Sequence, residues 1–399
     1  MKKVDNFYRR KLSNGLVVLF EKRKLPIALT SVTAKFGSEY EEEKLKGVSH
    51  FIEHLVFKGT KKRTVKEISE EVEKKGGIIN AFTSEEVTCY WNKLPSKYLD
   101  VGIDIASDLV LNPLFEKKAM ERERRVILEE IKMYYDNPQY YVLNKIKELL
   151  YGKPFGLFGA GTHETMAKMT RQDVLNIFSN YSTNNMILTV VGKGSFDEIC
   201  EMGGKTFPKT KEEVQEKIPI MNNKVLIEKR KGVEQANLIL GYHVPRLVDK
   251  NRYAAEILDV ILAKGMSSRL FHEIREKRGL AYTVKGFLEQ DKNYGYEMIY
   301  VGTTKSKIRK VRELILKEIK KMQKLERREF EEAKEQLIGL RNVESEDSES
   351  VMMSLIAEEN AGNVDEYYKY EDRISVAGLE DVRKLAKLEG YSFIALVPG

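Results

Sequence analysis

The chain contains an internal repeat with a period of about 206 residues. Residues 19–24 match 226–231, residues 52–59 match 258–265, and residues 187–192 match 394–399. This period is too long for a solenoid and fits two similar domains. The stretch near the middle is polar, contains two prolines and has the composition of a linker. We therefore predict a first domain over residues 1–202, a linker over 203–223 and a homologous domain over 224–399.

Each repeat has the pattern of an α+β domain. In the first, strand patterns cover residues 17–20, 28–36, 78–82, 87–94 and 186–191. Between them lie helical patterns, one over residues 47–57 and another opened by the capping box at Thr64. Because strands lie early and late with helices clustered between, we predict a mostly antiparallel or mixed sheet covered by helices on one side.

The amino-acid composition limits the classes of protein to which this chain can belong. Hydrophobic residues make up 42% of the chain, which is typical of a globular protein, and no apolar run approaches a membrane span. The 68 basic and 61 acidic residues are interspersed, unlike the clustered cations of nucleic-acid binders. Only two cysteines are present, and residues 1–5 precede no apolar signal region. We expect a cytoplasmic protein that binds neither nucleic acid nor membrane.

One short motif carries metal chemistry. His50 and His54 flank Glu53 in the pattern H-x-x-E-H, the inverse of a common zinc-peptidase motif. On a helix these three side chains share one face. Two imidazoles suit zinc, and the carboxylate is placed to take a proton from a metal-activated water. The alternative is two helix-face histidines beside a salt-bridging glutamate, a rare coincidence in a chain with five histidines.

The second repeat lacks this motif. Its residues at the two histidine positions are Glu256 and Val260. That half cannot build the same site, which leaves it free for substrate contact or assembly.

A third metal ligand is expected on the helix over residues 116–135. Glu123 and Glu130 lie near its apolar stripe, seven residues apart and on nearly the same side. Carboxylates that face a core are costly unless they are paired or bound to metal. Spacing favours Glu130 as the ligand, with Glu129 as its rival, and Glu123 as a residue that orients a histidine.

These motifs resemble the pitrilysin and insulin-degrading enzyme family, which includes the mitochondrial processing peptidase. Residues 47–60 look like the metal helix of that family, residues 76–83 like its next characteristic stretch and residues 123–130 like its ligand helix. The resemblance covers essentially the whole chain. It implies one zinc ion per chain, Glu130 as the third ligand and Glu53 as the general base.

The resemblance also assigns roles outside the metal motif. Arg275 and Tyr282 match an arginine and a tyrosine that reach the substrate from the zinc-free half and stabilise its oxyanion. Without the resemblance, they would be interpreted as an exposed helix arginine and a core tyrosine. Substrate is expected to bind as an extended strand near Asn80 and Ala81.

The implied activity is zinc-dependent endopeptidase cleavage of extended peptides or unfolded segments inside a chamber. Family members enclose substrate between two half-shells, and this chain has the length of one. Because it carries both the metal motif and the Arg–Tyr pair, a homodimer is expected, with a paralogous partner subunit as the alternative. The competing interpretation is a non-catalytic structural or assembly subunit, although relatives of that kind generally have damaged metal motifs.

Overall fold

A computed structural model describes residues 6–210, 214 and 217–399. Three sequence predictions touch residues outside that range, and one of them is the first domain, which includes residues 1–5. The predicted absence of a signal region rests on residues 1–5, and the predicted linker includes residues 211–213 and 215–216. The other predicted elements lie within the described residues.

The described residues form a mixed α+β fold, which confirms the predicted class. The strands are β1 (Phe7–Lys11), β2 (Val17–Lys22), β3 (Ile27–Ala34), β4 (Ile78–Thr83), β5 (Thr88–Pro95), β6 (Met186–Gly192), β7 (Val225–Arg230), β8 (Ala236–His243), β9 (Ala281–Gln290), β10 (Gly295–Thr303) and β11 (Ser392–Pro398). The α-helices are α1 (Val48–Val56), α2 (Val65–Glu73), α3 (Leu99–Leu111), α4 (Lys117–Asp136), α5 (Pro138–Leu150), α6 (His163–Lys168), α7 (Arg171–Phe178), α8 (Phe196–Thr206), α9 (Arg252–Leu262), α10 (Ile308–Met322), α11 (Arg327–Glu344), α12 (Ser348–Asn360), α13 (Tyr370–Val376) and α14 (Leu379–Leu385).

The two sheets repeat one topology. The first has the strand order β1-β2-β6-β3-β5-β4 and the second β7-β11-β8-β10-β9. In each, one pair is parallel, β2 with β6 and β7 with β11, and the pairs that follow it are antiparallel. The first sheet differs by the added strand β1, which pairs with β2. The sequence repeat therefore corresponds to a repeated fold.

Both faces of each sheet are covered, so the predicted one-sided cover was wrong. In the second sheet, Leu238 and Leu240 belong to one buried cluster, whereas Ile239 belongs to another that includes α5. In the first sheet, β3 and β6 are buried along almost their whole length, and both α3 and α12 pack there. The sequence pattern did not indicate this because Ser31 and Thr33, both buried, lie on the same face of β3 and imitate a solvated face.

The chain forms two compact units, and each includes a segment from the other half of the sequence. The first comprises residues 1–131, 158–217 and 345–360, and the second comprises the remainder. Helix α5 thus packs on β8 and β11, and its counterpart in the repeat, α12, packs on β3 and β6. The predicted ranges 1–202 and 224–399 follow the repeat but not this exchange. Residues 203–206 of the predicted linker also continue helix α8.

Across the described residues, no helix is long and apolar enough to cross a lipid bilayer.

Candidate metal centre

The motif helix α1 begins at a residue that must be glycine. Gly47 has a φ of 96°, in the left-handed region. A Cβ on this residue would lie 2.6 Å from the backbone oxygen of Ala160. The glycine therefore allows the chain to turn into α1 where another segment passes close to it.

Helix α1 buries one side and presents the motif on the other. Phe51, Ile52 and Leu55 are buried in the core of the first unit. His50, Glu53 and His54 are only partly buried. The spacing i, i+3 and i+4 therefore places both imidazoles and the carboxylate together at the edge of the core, as predicted.

Helix α4 adds a carboxylate to the two histidines. His50 Nε2 lies 3.7 Å from Glu130 Oε1, and His54 Nε2 lies 3.6 Å from Glu130 Oε2. One candidate ligand atom from each residue lies within 4.8 Å of the other two. Within the described part of the chain, no other set of three His, Cys, Asp or Glu side chains comes this close. Glu129, the rival ligand, is exposed and outside this group.

The three residues fit a zinc ion. Two imidazoles and one carboxylate are a donor set that occurs in catalytic zinc sites. Tetrahedral zinc with ligand distances near 2.0–2.2 Å separates its ligand atoms by roughly 3.3–3.6 Å. The separations of 3.6 and 3.7 Å are close to that range and longer than hydrogen bonds. Burial, and then the charge of His54, lowers the pKa of His50 to about 3, so its imidazole is neutral and able to bind a cation.

Glu53 lies beside this group without belonging to it. Its Oε2 accepts a hydrogen bond of 2.6 Å from the hydroxyl of Thr83 on β4. Burial raises the pKa of Glu53, while the Thr83 hydroxyl and the charge of His54 act in the opposite direction. A buried carboxylate whose pKa is raised towards neutrality is suited to exchange protons.

Glu123 contacts the outer side of His54. Its Oε2 lies 3.3 Å from His54 Nδ1, and its Oε1 lies 3.0 Å from the ammonium group of Lys58. The structure thus places Glu123 where it can orient the imidazole, the position expected from the sequence.

The predicted substrate residues lie on an edge strand. Strand β4 ends the first sheet and pairs only with β5 within the described residues. Asn80 is exposed, and its side-chain oxygen accepts a 2.9 Å hydrogen bond from the backbone N–H of Ala81. An incoming peptide strand would need that donor, so the Asn80 side chain would have to release it.

The second repeat carries no equivalent metal group. Val260 is buried in the apolar core, and Glu256 accepts a hydrogen bond from the hydroxyl of Tyr370. Asp259, which the repeat aligns with Glu53, is also buried. These side chains serve the interior of the second unit.

Arg275 and Tyr282 lie together in the second unit. The guanidinium of Arg275 is 4.7 Å from the ring centroid of Tyr282, and 79% of Tyr282 is exposed. A core position for this tyrosine is therefore excluded. The guanidinium also lies 4.8 Å from the ring of Phe271, in a π-helical segment over Phe271–Glu276.

Sequence reasoning assigned no role to four residues that contact the motif or its helix. Lys58 and Thr83 lie within residues 47–60 and 76–83, the stretches that resemble the family, but the resemblance assigned no role to either side chain. Glu41 and Lys46 are completely buried and lie at the start of α1. A charged run such as Glu41-Glu42-Glu43-Lys44 resembles a solvated surface, so only tertiary packing distinguishes Glu41 from its neighbours.

Comparisons with known proteins show which proteins this chain is similar to. Residues 16–157 match the family model described as insulinase (peptidase family M16), and residues 168–337 match the model described as peptidase M16 inactive domain. An uncharacterized zinc protease of Rickettsia felis is 34% identical over 79% of this chain and 77% of its own length. An uncharacterized zinc protease of Bacillus subtilis is 31% identical over 79% and 78%.

A solved structure has the same fold. The crystal structure of a protease from Helicobacter pylori aligns with a TM-score of 0.91 over 98% of this chain and 99% of that one, at 22% identity. Together, the two family models and the relatives of more than 30% identity show that the chain belongs to the insulinase family of peptidases, family M16.

Proposed function

We propose that this protein is a zinc-dependent endopeptidase that cleaves extended peptides or unfolded segments. The observation that carries the proposal is the convergence of His50, His54 and Glu130 beside the carboxylate of Glu53. The names of the relatives, zinc proteases, support the choice of metal and reaction. We propose one zinc ion per chain.

In this mechanism His50, His54 and Glu130 hold the metal. When bound, zinc supplies Lewis acidity towards a water molecule and the scissile carbonyl. Glu53 takes the proton of the attacking water and later returns it to the leaving amine. The raised pKa of Glu53 favours proton uptake from water, since burial makes its carboxylate a stronger base than an exposed one.

The substrate would lie along β4. In the described part of the chain, β4 pairs with β5 alone, and Asn80 and Ala81 lie on this edge strand. Addition of a peptide strand uses backbone hydrogen bonds, so it favours extended chains and depends weakly on their sequence.

Arg275 and Tyr282 would act across a homodimer. We propose that Arg275 of the partner subunit and Tyr282 of the partner subunit hold the scissile carbonyl and stabilise its developing negative charge. The exposure of Tyr282 supports this, because its ring is available to another molecule. A mixture of Glu53→Gln and Arg275→Ala protein should then regain activity through mixed dimers. If no activity returns after the subunits have exchanged, the proposal of a site shared between subunits is wrong.

The principal test combines metal content with peptide cleavage. Purified protein should contain about one zinc per chain and cleave a quenched peptide library, with activity lost to a chelator and restored by zinc. Glu53→Gln should keep the zinc and lose at least about a hundredfold in kcat, whereas the exposed control Glu129→Gln should behave like the wild type. Absence of both zinc and cleavage would favour the assembly-subunit alternative.

A further inference from the structure

The hydroxyl of Thr83 is bonded to the carboxylate that the proposed reaction uses as its base. Thr83 Oγ1 donates to Glu53 Oε2 over 2.6 Å, within the range of strong hydrogen bonds to an ionised acceptor. Both side chains are partly buried. Among the described residues, no further hydrogen bond to the Glu53 carboxylate is formed, so Thr83 is its principal polar anchor.

The backbone holds Thr83 firmly in place. Thr83 is the last residue of β4 and pairs with Thr88 of β5. The connecting turn is closed by a 2.8 Å hydrogen bond from the Ser84 N–H to the Val87 oxygen. Thr88 is in turn tied to the backbone oxygen of Phe36 at 2.9 Å. Because the branched side chain of threonine has few rotamers, a fixed backbone also fixes its hydroxyl.

We propose that Thr83 is a positioning residue for Glu53. This inference rests on the proposed peptidase function. The terminal torsion of a glutamate is broad, so an unanchored carboxylate samples many orientations. By holding Oε2, the Thr83 hydroxyl selects one orientation and leaves Oε1 to receive the proton from water. Proton transfer depends on such alignment, and displacements of about 1 Å reduce rates by about a hundredfold.

The same strand carries the proposed substrate positions. Ile79, Ala81 and Thr83 alternate onto one face of β4, and the first two pack against the core that contains α1. A peptide bound along β4 would therefore be placed by the strand that also orients the base. This arrangement links the register of the substrate to the position of the carboxylate.

Kinetics of two variants test the role. Thr83→Val keeps the shape of the side chain and removes the hydroxyl, and it should lower kcat by about tenfold or more with little change in KM and in zinc content. Thr83→Ser restores the hydroxyl and should recover most of the activity. The control Thr189→Val removes a buried hydroxyl from β6, which is separated from β4 by strands β3 and β5, and should leave kcat unchanged. A Thr83→Val protein with wild-type kcat would overturn the inference.

A second measurement needs no activity. Urea unfolding of metal-free wild type, Thr83→Val, Glu53→Leu and the double variant forms a double-mutant cycle. If the two side chains are in contact, the shift of the urea midpoint in the double variant should be smaller than the sum of the shifts in the two single variants. Additive shifts would show that the two side chains are not coupled and would refute the positioning role. Zinc-loaded protein that cleaves no peptide would instead refute the proposed function, while the cycle still decides whether Thr83 anchors Glu53.

Discussion

At the residue scale, Glu123 connects the imidazole of His54 to the ammonium group of Lys58. Its Oε2 lies 3.3 Å from Nδ1 of His54, and its Oε1 lies 3.0 Å from the ammonium group of Lys58. If Nδ1 carries the proton, Nε2 keeps its lone pair and faces Glu130 at 3.6 Å. Carboxylates in this position fix the tautomer and raise the basicity of a metal-binding histidine.

Substitution of Glu123 should therefore weaken metal binding. We expect Glu123→Ala to lower zinc affinity by about 10- to 100-fold, because His54 loses the group that orients it. Competition with a chromophoric chelator measures this directly. Glu129→Ala removes an exposed glutamate from the same helix and is the matched control. Equal zinc affinity in the two variants would contradict the assignment.

A second residue-scale feature is the buried acid pair of the second unit. Asp259 of α9 is 5% exposed and Glu297 of β10 is 1% exposed. A Cβ on Gly286 would lie 2.6 Å from Asp259 Oδ1 and 3.1 Å from Glu297 Oε1, so the absence of a side chain there makes room for both. Burial raises the pKa of each group, and the charge of Asp259 raises the pKa of Glu297 further.

This pair should make the second unit less stable at alkaline pH. In the unfolded chain both groups titrate near pH 4, whereas the folded protein retains protons above that value. The stability they contribute is thus complete below about pH 4 and is lost as the pH rises through the raised folded values. Between pH 5 and pH 8, the urea midpoint of the wild type should fall relative to that of a variant that lacks one of the two acids.

The acid pair is expected to cost free energy of unfolding as the pH rises from 5 to 8. The variant Asp259→Asn should reduce this loss by about 1 kcal/mol or more, the equivalent of one pKa unit. It leaves one titrating group in place of two. Asp372→Asn, an exposed change in the same unit, should retain the full pH dependence of the wild type. The same change of midpoint between pH 5 and pH 8 in the wild type and in Asp259→Asn would show that the pair is not protonated in the folded state.

At the scale of elements, a buried ion pair caps the motif helix. The carboxylate of Glu41 accepts hydrogen bonds from the N–H groups of Gly47 at 2.9 Å and Ser49 at 2.7 Å, at the start of α1. Lys46 lies 3.7 Å from the same carboxylate and donates to the backbone oxygen of Ser38 at 2.7 Å. A negative charge at a helix N-terminus is favourable, and here it also satisfies donors that the helix leaves unpaired.

Loss of this cap should destabilise the first unit. Glu41→Ala removes the buried carboxylate that faces the Lys46 ammonium and accepts from two N–H groups of the helix start, so we expect a loss of about 3–5 kcal/mol in the free energy of unfolding. Chemical denaturation followed by circular dichroism measures it. Glu42→Ala is the control, since Glu42 is exposed and its ion pair with Lys44 lies at the surface. Similar unfolding curves for the two variants would argue against a capping role.

At the scale of the whole molecule, the two repeats exchange equivalent helices. Helix α5 follows the first repeat in sequence but covers β8 and β11, and α12 follows the second but covers β3 and β6. Val142 and Ile146 of α5 are completely buried in the cluster that includes Ile239 and Ile394. Each sheet therefore depends on residues from the opposite half of the chain.

The exchange predicts that separate halves do not fold independently. A fragment of residues 1–217 lacks α12, and a fragment of residues 218–399 lacks α5, so each exposes an apolar sheet face. Each alone should show no cooperative unfolding transition, whereas the two produced together should associate and recover one. Analytical centrifugation with thermal melts distinguishes these states. A cooperative transition in residues 1–217 alone would contradict the prediction.

Much of the fold and site follows from local patterns. The α+β class and the helix that carries His50, Glu53 and His54 were predictable because periodicity and spacing involve residues close in sequence. The repeat was predictable because its two copies still share short stretches of sequence. Spacing on α4 also favoured Glu130, which the structure brings to the two histidines.

Other features depend on residues far apart in sequence. The exposed strand edge, the bond from Thr83 to Glu53 and the burial of Glu41 among charged neighbours have no local pattern. The exchange of α5 and α12 is of the same kind, because an amphipathic helix specifies that it must be covered but not by which sheet. That choice is made only when the apolar faces of the folded chain meet, where burial of the largest complementary surface gives the lowest free energy.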